Sequence, residues 1–218
     1  MELSKDQIQQ IEQFLDEKGF HYADLRLEML DHMMSAIEHK MQHDFSFESA
    51  FVMTKIRWEK HLRKKTSFYF GIYYSNFNIV MQKATKLFRP FFLGYLICYF
   101  LPLLILKNTA ILVAQPVVEL GNQLFFVLGI LGIIYFLYTY VRIKQINIKT
   151  TYSFVLQTQL LAGFIFLPLS PWLGTVFQQT GEMNPVFSGM AFAGLFIVVM
   201  TYHFYNKHIA SIKKYQIV

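Results

Sequence analysis

The stretch LGNQLFFVLGILGIIYFLYTYV, residues Leu120–Val141, decides the fold because it contains no Asp, Glu, Lys or Arg. A helix of roughly 17 to 25 apolar residues crosses a hydrocarbon core about 30 Å thick. Three further charge-free stretches flank it, at 90–106, 152–177 and 185–205. The sequence therefore predicts an all-α chain that contains a four-helix transmembrane bundle, with spans at about 90–106, 118–141, 152–172 and 185–206.

Charge divides the chain into two parts. Residues 1–65 hold 10 of the 20 basic residues and 12 of the 14 acidic ones, so the remaining 153 positions are strongly basic. Because the basic excess belongs to the apolar part, we interpret it as a membrane feature and predict no nucleic-acid partner. The chain has a single cysteine, Cys98, which excludes a disulfide framework and a thiolate metal cluster.

The basic residues around the spans lie almost entirely on one side of the predicted bundle. They fall before the first span, between the second and third, and after the fourth: Lys83, Lys86, Arg89, Arg142, Lys144, Lys149, Lys207, Lys213 and Lys214. Lys107 stands on the other side, with Glu119 and Glu182. Cytoplasmic loops carry such an excess of Lys and Arg. We therefore predict a multi-pass protein of the bacterial inner membrane with both termini, including the tail 207–218, in the cytoplasm.

Residues 1–65 read as a small cytoplasmic module of three amphipathic helices. Ser4 and Gln7 form a capping-box pattern at the first helix start, and Gly19 provides a left-handed stop. The second helix is predicted over Ala23 to Met41, with its apolar set at Leu30, Met33, Met34, Ile37 and Met41; the third follows from Ser46 to about Arg63. So small a core is marginal alone, which favours contact with a partner, the bilayer or a second copy of the chain.

Aromatic residues gather between this module and the first span. We interpret residues 66–89 as an interfacial juxtamembrane segment, helical from Asn76 or Asn78, because aromatic and basic side chains together are typical of the headgroup region. An aromatic linker packed on the module is the alternative. The candidate membrane-interface residues are Tyr69, Tyr73, Tyr74 and Phe77, with Trp172 at the opposite face.

Two segments of the module carry a family resemblance. Residues 24–33 read DLRLEMLDHM, and residues 45–51 read FSFESAF. These runs resemble the HAAS-type helical module, over about residues 4–60. The resemblance implies a short cytoplasmic three-helix unit ahead of transmembrane helices, with a role in signalling, regulation or assembly and no catalytic residues. A turn that often closes the third helix in that family is absent here, where Ile56-Arg57-Trp58 stands.

The second helix also carries the candidate partner-docking residues, namely Glu28, Asp31, His32 and Glu38. Glu28 and His32 are four residues apart, and His39 lies seven beyond His32, so these three side chains share a helix face. Mixed nitrogen and oxygen ligands of that kind suit a divalent metal. A metal site needs ligands from a second element, however, and none is evident, so we predict a solvated docking face without metal or cofactor.

Three functional hypotheses remain open. The first is a non-enzymatic regulatory, adaptor or assembly protein whose module docks a protein partner; nucleotide-binding, zinc-protease and serine-hydrolase motifs are missing from the chain. The second is a transporter or an accessory subunit of a permease, which predicts a cavity lined by Asn122, Gln157 and Gln159. The third is a metal-dependent membrane enzyme that uses Glu28, His32 and His39.

Overall fold

The computed structural model describes residues 2–109 and 111–215, without the side chains of 168–173 and 215. The described chain is mostly helical. Its elements are, in order, α1 (Lys5–Glu17), α2 (Ala23–Met41), α3 (Phe47–Leu62), β1 (Lys64–Ser67), β2 (Gly71–Phe77), α4 (Asn78–Asn108), α5 (Gln115–Ile146), α6 (Thr151–Leu173) and α7 (Pro185–Tyr215).

The start and stop signals of α1 act as predicted. The Ser4 hydroxyl accepts a hydrogen bond from the backbone N–H of Gln7 at 3.3 Å, and the Gln7 side chain accepts one from Ser4 N–H at 2.9 Å. These bonds satisfy two N–H groups that the first helical turn leaves unpaired. Gly19 follows the helix with φ +68°, a conformation in which a Cβ atom would be strained.

Helices α1, α2 and α3 share one hydrophobic core. Its fully buried centre includes Ile11, Leu15, Met29, Met33 and Ile37. The predicted bounds of α2 are confirmed. Met33 and Ile37 of the predicted apolar set are buried, and its other members, Leu30, Met34 and Met41, are partly buried and pack against the core. Leu25 and Met29, which the prediction leaves out, are buried as well.

The segment between the module and α4 is a β-hairpin, which the all-α prediction misses. Strands β1 and β2 pair antiparallel, with Lys64 opposite Phe77 and Ser67 opposite Gly71. Gly71 has φ +81°, a turn conformation that glycine adopts without strain. The predicted helix start at Asn78 is confirmed, but the residues just before it form a strand.

Helix α4 extends through both of its prolines. Pro90 was the predicted beginning of the first span, yet it lies inside a helix that continues from Asn78 to Asn108, as does Pro102. A proline removes one backbone hydrogen bond and usually kinks a helix, but packed apolar helices tolerate it. The predicted span 90–106 is therefore the second part of a longer helix.

Three of the described helices are long and apolar enough to cross a membrane, namely Asn78–Asn108, Gln115–Ile146 and Pro185–Lys214. The described side chains of α6 add a shorter apolar helix, Thr151–Leu167. The predicted spans 118–141, 152–172 and 185–206 lie within α5, α6 and α7.

The chain forms two compact units. The first comprises residues 1–85, 148–154 and 208–218, and the second comprises 86–147 and 155–207. The first unit thus includes the loop before α6, the first turn of α6 and the last turns of α7 in addition to the N-terminal helices and the hairpin. The second unit contains the greater part of the four apolar helices.

Candidate functional site

Three of the four predicted docking residues share an exposed face of α2. Glu28, Asp31 and His32 are exposed, and their spacing of three and four residues places them on neighbouring turns. Glu38 differs, because it is partly buried and its carboxylate accepts a hydrogen bond from the backbone N–H of Leu3 at 3.2 Å. Glu38 therefore fastens the start of the chain to α2 instead of joining the exposed face.

Across the part of the chain that the structure describes, no group of three or more His, Cys, Asp or Glu side chains is placed to hold a metal ion. His39 stacks at 4.7 Å on His43, whose Nδ1 lies 2.8 Å from the His39 carbonyl oxygen. The proposed ligands Glu28, His32 and His39 thus gain no partner ligand from a second element.

An exposed apolar surface lies on α3, and the sequence analysis did not identify it. Ile56 is 67% exposed, and Val52 and Met53 lie one turn before it on the same helix face. The Lys40 ammonium, near the end of α2, lies 3.7 Å from the Met53 sulfur. We call Val52, Met53 and Ile56 the α3 patch. The sequence signal for this patch is weak, because the same residues also fit a core-facing stripe.

A buried carboxylate joins α2 to the start of α6. Asp24 is 2% exposed, and its Oδ1 accepts a hydrogen bond at 2.8 Å from the backbone N–H of Thr151. A backbone hydrogen bond lies beside this contact, because the N–H of Ala23 donates to the Lys149 carbonyl at 2.9 Å. Asp24 therefore caps the N-terminus of a helix that begins 127 residues later in the chain.

Lys83 of α4 neutralises this carboxylate. Its ammonium lies 3.2 Å from Asp24 Oδ2 and donates a further hydrogen bond at 3.1 Å to the Asp24 carbonyl oxygen. A carboxylate that is nearly inaccessible to water is stable only when it is paired and hydrogen-bonded. Both requirements are met here by α4 and α6 together.

The end of α7 joins the same region. His208 is fully buried, and its Nδ1 lies 2.8 Å from the hydroxyl oxygen of Thr150. Thr150 and Ser153 cap α6 reciprocally, with the Thr150 N–H donating to Ser153 Oγ at 3.0 Å and the Ser153 N–H donating to Thr150 Oγ1 at 3.1 Å. We name this group the buried polar junction; it consists of Asp24, Lys83, Thr150, Thr151, Ser153 and His208.

Tyr22 ties the hairpin to the residues beside the junction. Its hydroxyl accepts a hydrogen bond from the side-chain amide of Asn76 in β2. Burial raises the pKa of Tyr22, the charge of Asp24 raises it further, and the bond from Asn76 opposes both effects. The phenol is therefore held in its neutral, hydrogen-bonding form.

The predicted membrane-interface residues have different environments. Tyr73 is 92% exposed, whereas Tyr69 and Tyr74 are partly buried. Phe77 packs edge to face on Phe20 at 5.3 Å, so its ring packs against the core of the N-terminal helices. The side chain of Trp172 lies outside the described residues.

The polar residues that the transport hypothesis invokes do not share the cleft that Asn122 lines. Asn122 clasps the backbone of Phe177, donating to its carbonyl at 2.8 Å and accepting from its N–H at 3.0 Å. Its cleft has a volume of about 230 Å³, and neither Gln157 nor Gln159 is among its lining residues. Gln157 is exposed, and Gln159 donates to Thr158 Oγ1 at 3.3 Å.

Comparison with protein-family models, with curated proteins and with solved structures yields no match. The resemblance of residues 4–60 to the HAAS-type module therefore stays a prediction.

Proposed function

We propose that this chain is a non-enzymatic regulatory, adaptor or assembly protein of the bacterial inner membrane, whose N-terminal helices dock a protein partner. The observation that carries the proposal is the α3 patch, where large apolar side chains lie exposed on a small helical module. Apolar residues that cluster on the water-exposed surface of a module are typical of protein contact sites.

Four membrane crossings are supported by where the helix ends lie. In the first unit, the Asn78 N–H at the start of α4 donates a hydrogen bond to the Arg63 carbonyl. In the same unit, Asp24 caps the start of α6, and Thr150 contacts His208 near the end of α7. In the second unit, the loop after α4 meets the loop after α6, where the Val113 N–H donates to the Gly181 carbonyl at 2.9 Å. The starts of α4 and α6 and the end of α7 thus belong to the first unit, and the starts of α5 and α7 belong to the second.

Helix α6 is long enough to take part in this arrangement. Its 23 residues span about 35 Å at a rise of about 1.5 Å each, compared with a hydrocarbon core of about 30 Å. With four crossings, the bias in Lys and Arg places the N-terminal helices, the loop at 147–150 and the C-terminal tail in the cytoplasm.

A second exposed surface of the module indicates which charge the partner carries. The exposed acidic face of α2, with Glu28 and Asp31, belongs to the same small module. Opposite charges across an interface steer association and fix its register, while buried apolar anchors provide most of the affinity. We therefore propose a basic amphipathic helix as the partner segment.

Site-specific photo-crosslinking in native membranes tests this docking. With a benzophenone amino acid in place of Ile56, we expect an adduct with a second protein, because this side chain lies at the centre of the proposed contact. The charge reversals Glu28→Lys and Asp31→Lys should remove most of the adduct, and the same crosslinker at Gln10, an exposed position on α1, is the matched control.

The mass of the adduct separates the alternatives. An adduct of equal yield at Ile56 and Gln10, or none at Ile56, contradicts the docking surface. An adduct of twice the chain mass identifies a second copy of this protein as the occupant. A transport protein as the crosslinked partner makes the chain an accessory subunit of a permease, which is the second hypothesis from the sequence.

A further inference from the structure

The tip of the β1–β2 hairpin displays large apolar side chains on both of its faces. Phe68 is 88% exposed, Ile72 80% and Tyr73 92%. Successive residues of a strand point to opposite faces, so Ile72 and Tyr73 project in opposite directions. A protein partner would cover one face of so small an element, whereas a lipid layer into which the tip inserts would surround both faces.

Contacts at the tip fix the direction in which the hairpin points. The Ser67 hydroxyl lies 3.2 Å from the hydroxyl of Thr85, and Phe70 packs edge to face on Phe154 of α6 at 5.2 Å. Thr85 follows the first residue of α4 by seven positions, about 10 Å along the helix axis. The hairpin therefore runs beside the first turns of α4, from Asn78 towards Thr85.

Thr85, which the tip contacts, lies close to the start of the charge-free stretch of α4. The charge-free stretch of α4 begins at Pro90, five residues or about 7.5 Å beyond Thr85. A bilayer of about 40 to 45 Å with a hydrocarbon core of about 30 Å has a headgroup layer of about 5 to 7.5 Å on each side. Tyrosine side chains are enriched in this layer, and phenylalanine is typical of segments that insert at its boundary with the acyl chains.

The base of the hairpin is cationic. Arg63, Lys64 and Lys65 are all exposed, and Lys64 pairs with Phe77 at the end of β2 away from the tip. Two or three residues of strand separate Lys65 and Lys64 from Ser67, about 7 to 10 Å, which is close to the Debye length of about 8 Å at physiological salt. Cations at that distance from a membrane surface still attract anionic lipids.

We infer that the β1–β2 hairpin is a lipid-binding finger whose tip inserts among the headgroups of an anionic phospholipid leaflet. The inference rests on the membrane placement under the proposed function but is independent of the docking partner. Phe68, Ile72 and Tyr73 supply the insertion, and Lys64 and Lys65 supply the preference for anionic lipid. Phe70, packed on Phe154, holds the tip in position.

An environment-sensitive fluorophore on the full-length protein tests the inference. The probe NBD is attached to Phe68→Cys in a Cys98→Ser background, and to Ser35→Cys, an exposed position on α2, as the control. The protein is reconstituted in vesicles of phosphatidylcholine alone or in vesicles in which about one lipid in four is phosphatidylglycerol. Each vesicle type is prepared with and without nitroxide-labelled lipid as the quencher. A second reporter at Tyr73→Cys guards against a local effect of the first label.

At positions 68 and 73 we expect blue-shifted emission and strong nitroxide quenching, and at position 35 neither. Ile72→Ser combined with Tyr73→Ser should reduce quenching at position 68. Lys64→Gln combined with Lys65→Gln should remove only the added quenching that phosphatidylglycerol gives. Unchanged Trp58 emission, recorded without the probe and in a Trp172→Phe background, confirms that each variant is folded.

Equal emission at positions 68 and 35 in every vesicle would overturn the finger. If quenching is strong but does not depend on phosphatidylglycerol or on the two lysines, the anionic preference is wrong. Failure of the protein to float with the vesicles contradicts the membrane placement itself, which distinguishes the failure of the proposed function from that of the finger.

Discussion

Asp24 joins three helices of the first compact unit. Its carboxylate receives a backbone N–H from α6 and an ammonium from α4, while its own backbone belongs to α2. Burying a carboxylate costs several kcal/mol unless it is hydrogen-bonded and paired. Because both partners come from distant parts of the sequence, the carboxylate also selects which helix ends come together.

Asp24 variants should separate the capping contact from the ion pair. Asp24→Asn keeps an oxygen that can accept from Thr151 N–H, whereas Asp24→Ala loses both contacts. We expect Ala to destabilise the first unit by about 3 kcal/mol. We expect Asn to cost about 1 kcal/mol, because the Lys83 side chain is 29% exposed and its lost attraction is screened.

Chemical denaturation in detergent measures this difference. Trp58 packs against the core of the N-terminal helices and reports on it when Trp172→Phe removes the other tryptophan. Asp31→Asn, on the exposed face of the same helix, is the matched control and should change stability by less than about 0.5 kcal/mol. Equal stabilities of the Ala and Asn variants would show that the cap contributes nothing.

At the scale of elements, close helix contacts depend on glycine. A Cβ atom on Gly189 of α7 would lie 2.5 Å from the backbone carbonyl oxygen of Tyr99 in α4. On Gly94 of α4 it would instead meet the outer edge of the Phe196 ring, at 2.6 Å. A side chain can shift to relieve such an overlap more easily than a helix backbone can.

We therefore expect Gly189→Ala to be more disruptive than Gly94→Ala. The first change forces α4 and α7 apart and should cost about 1 to 3 kcal/mol, as overpacking does in protein cores. The unfolding temperatures of the two variants in detergent, monitored as the loss of monodisperse protein on heating, measure which one is less stable. A lower unfolding temperature for Gly94→Ala than for Gly189→Ala would contradict this account of the contact.

Local signals in the sequence predict several elements well. The capping box of Ser4 and Gln7, the left-handed Gly19 and the bounds of α2 all follow from short-range chemistry and agree with the structure. The hairpin was missed because its strands have only four and seven residues, and their aromatic side chains also fit a membrane belt. Gly71 was the available turn signal.

The candidate site is less predictable, for a physical reason. The exposed side chains of α2 can be assigned to one face from their spacing alone. The buried polar junction cannot, because Asp24 and Thr151 are joined only by tertiary packing. An acidic residue in the first turn of α2 is explained by its favourable interaction with the dipole of that same helix. Nothing in the neighbouring sequence indicates that its carboxylate contacts the start of another helix.

At the scale of the whole molecule, hydropathy and connectivity give different numbers of crossings. Three described helices each contain an apolar stretch long enough to cross a membrane, and α6 contributes a shorter apolar stretch. Helix α6 nevertheless begins in the first unit and continues into the second, as α4 does, and we therefore propose a fourth crossing by α6. An odd number of crossings would place the chain termini on opposite sides of the membrane, and an even number places them on the same side.

Cysteine accessibility in intact bacterial spheroplasts is therefore the most direct test of the architecture. Single cysteines are introduced in a Cys98→Ser background at Ser35, Thr180 and Lys213, which are all exposed. With a membrane-impermeant thiol reagent, we expect labelling of Thr180→Cys before lysis, and of Ser35→Cys and Lys213→Cys only after lysis. Labelling of positions 35 and 213 from opposite sides of the membrane would contradict the four-crossing architecture.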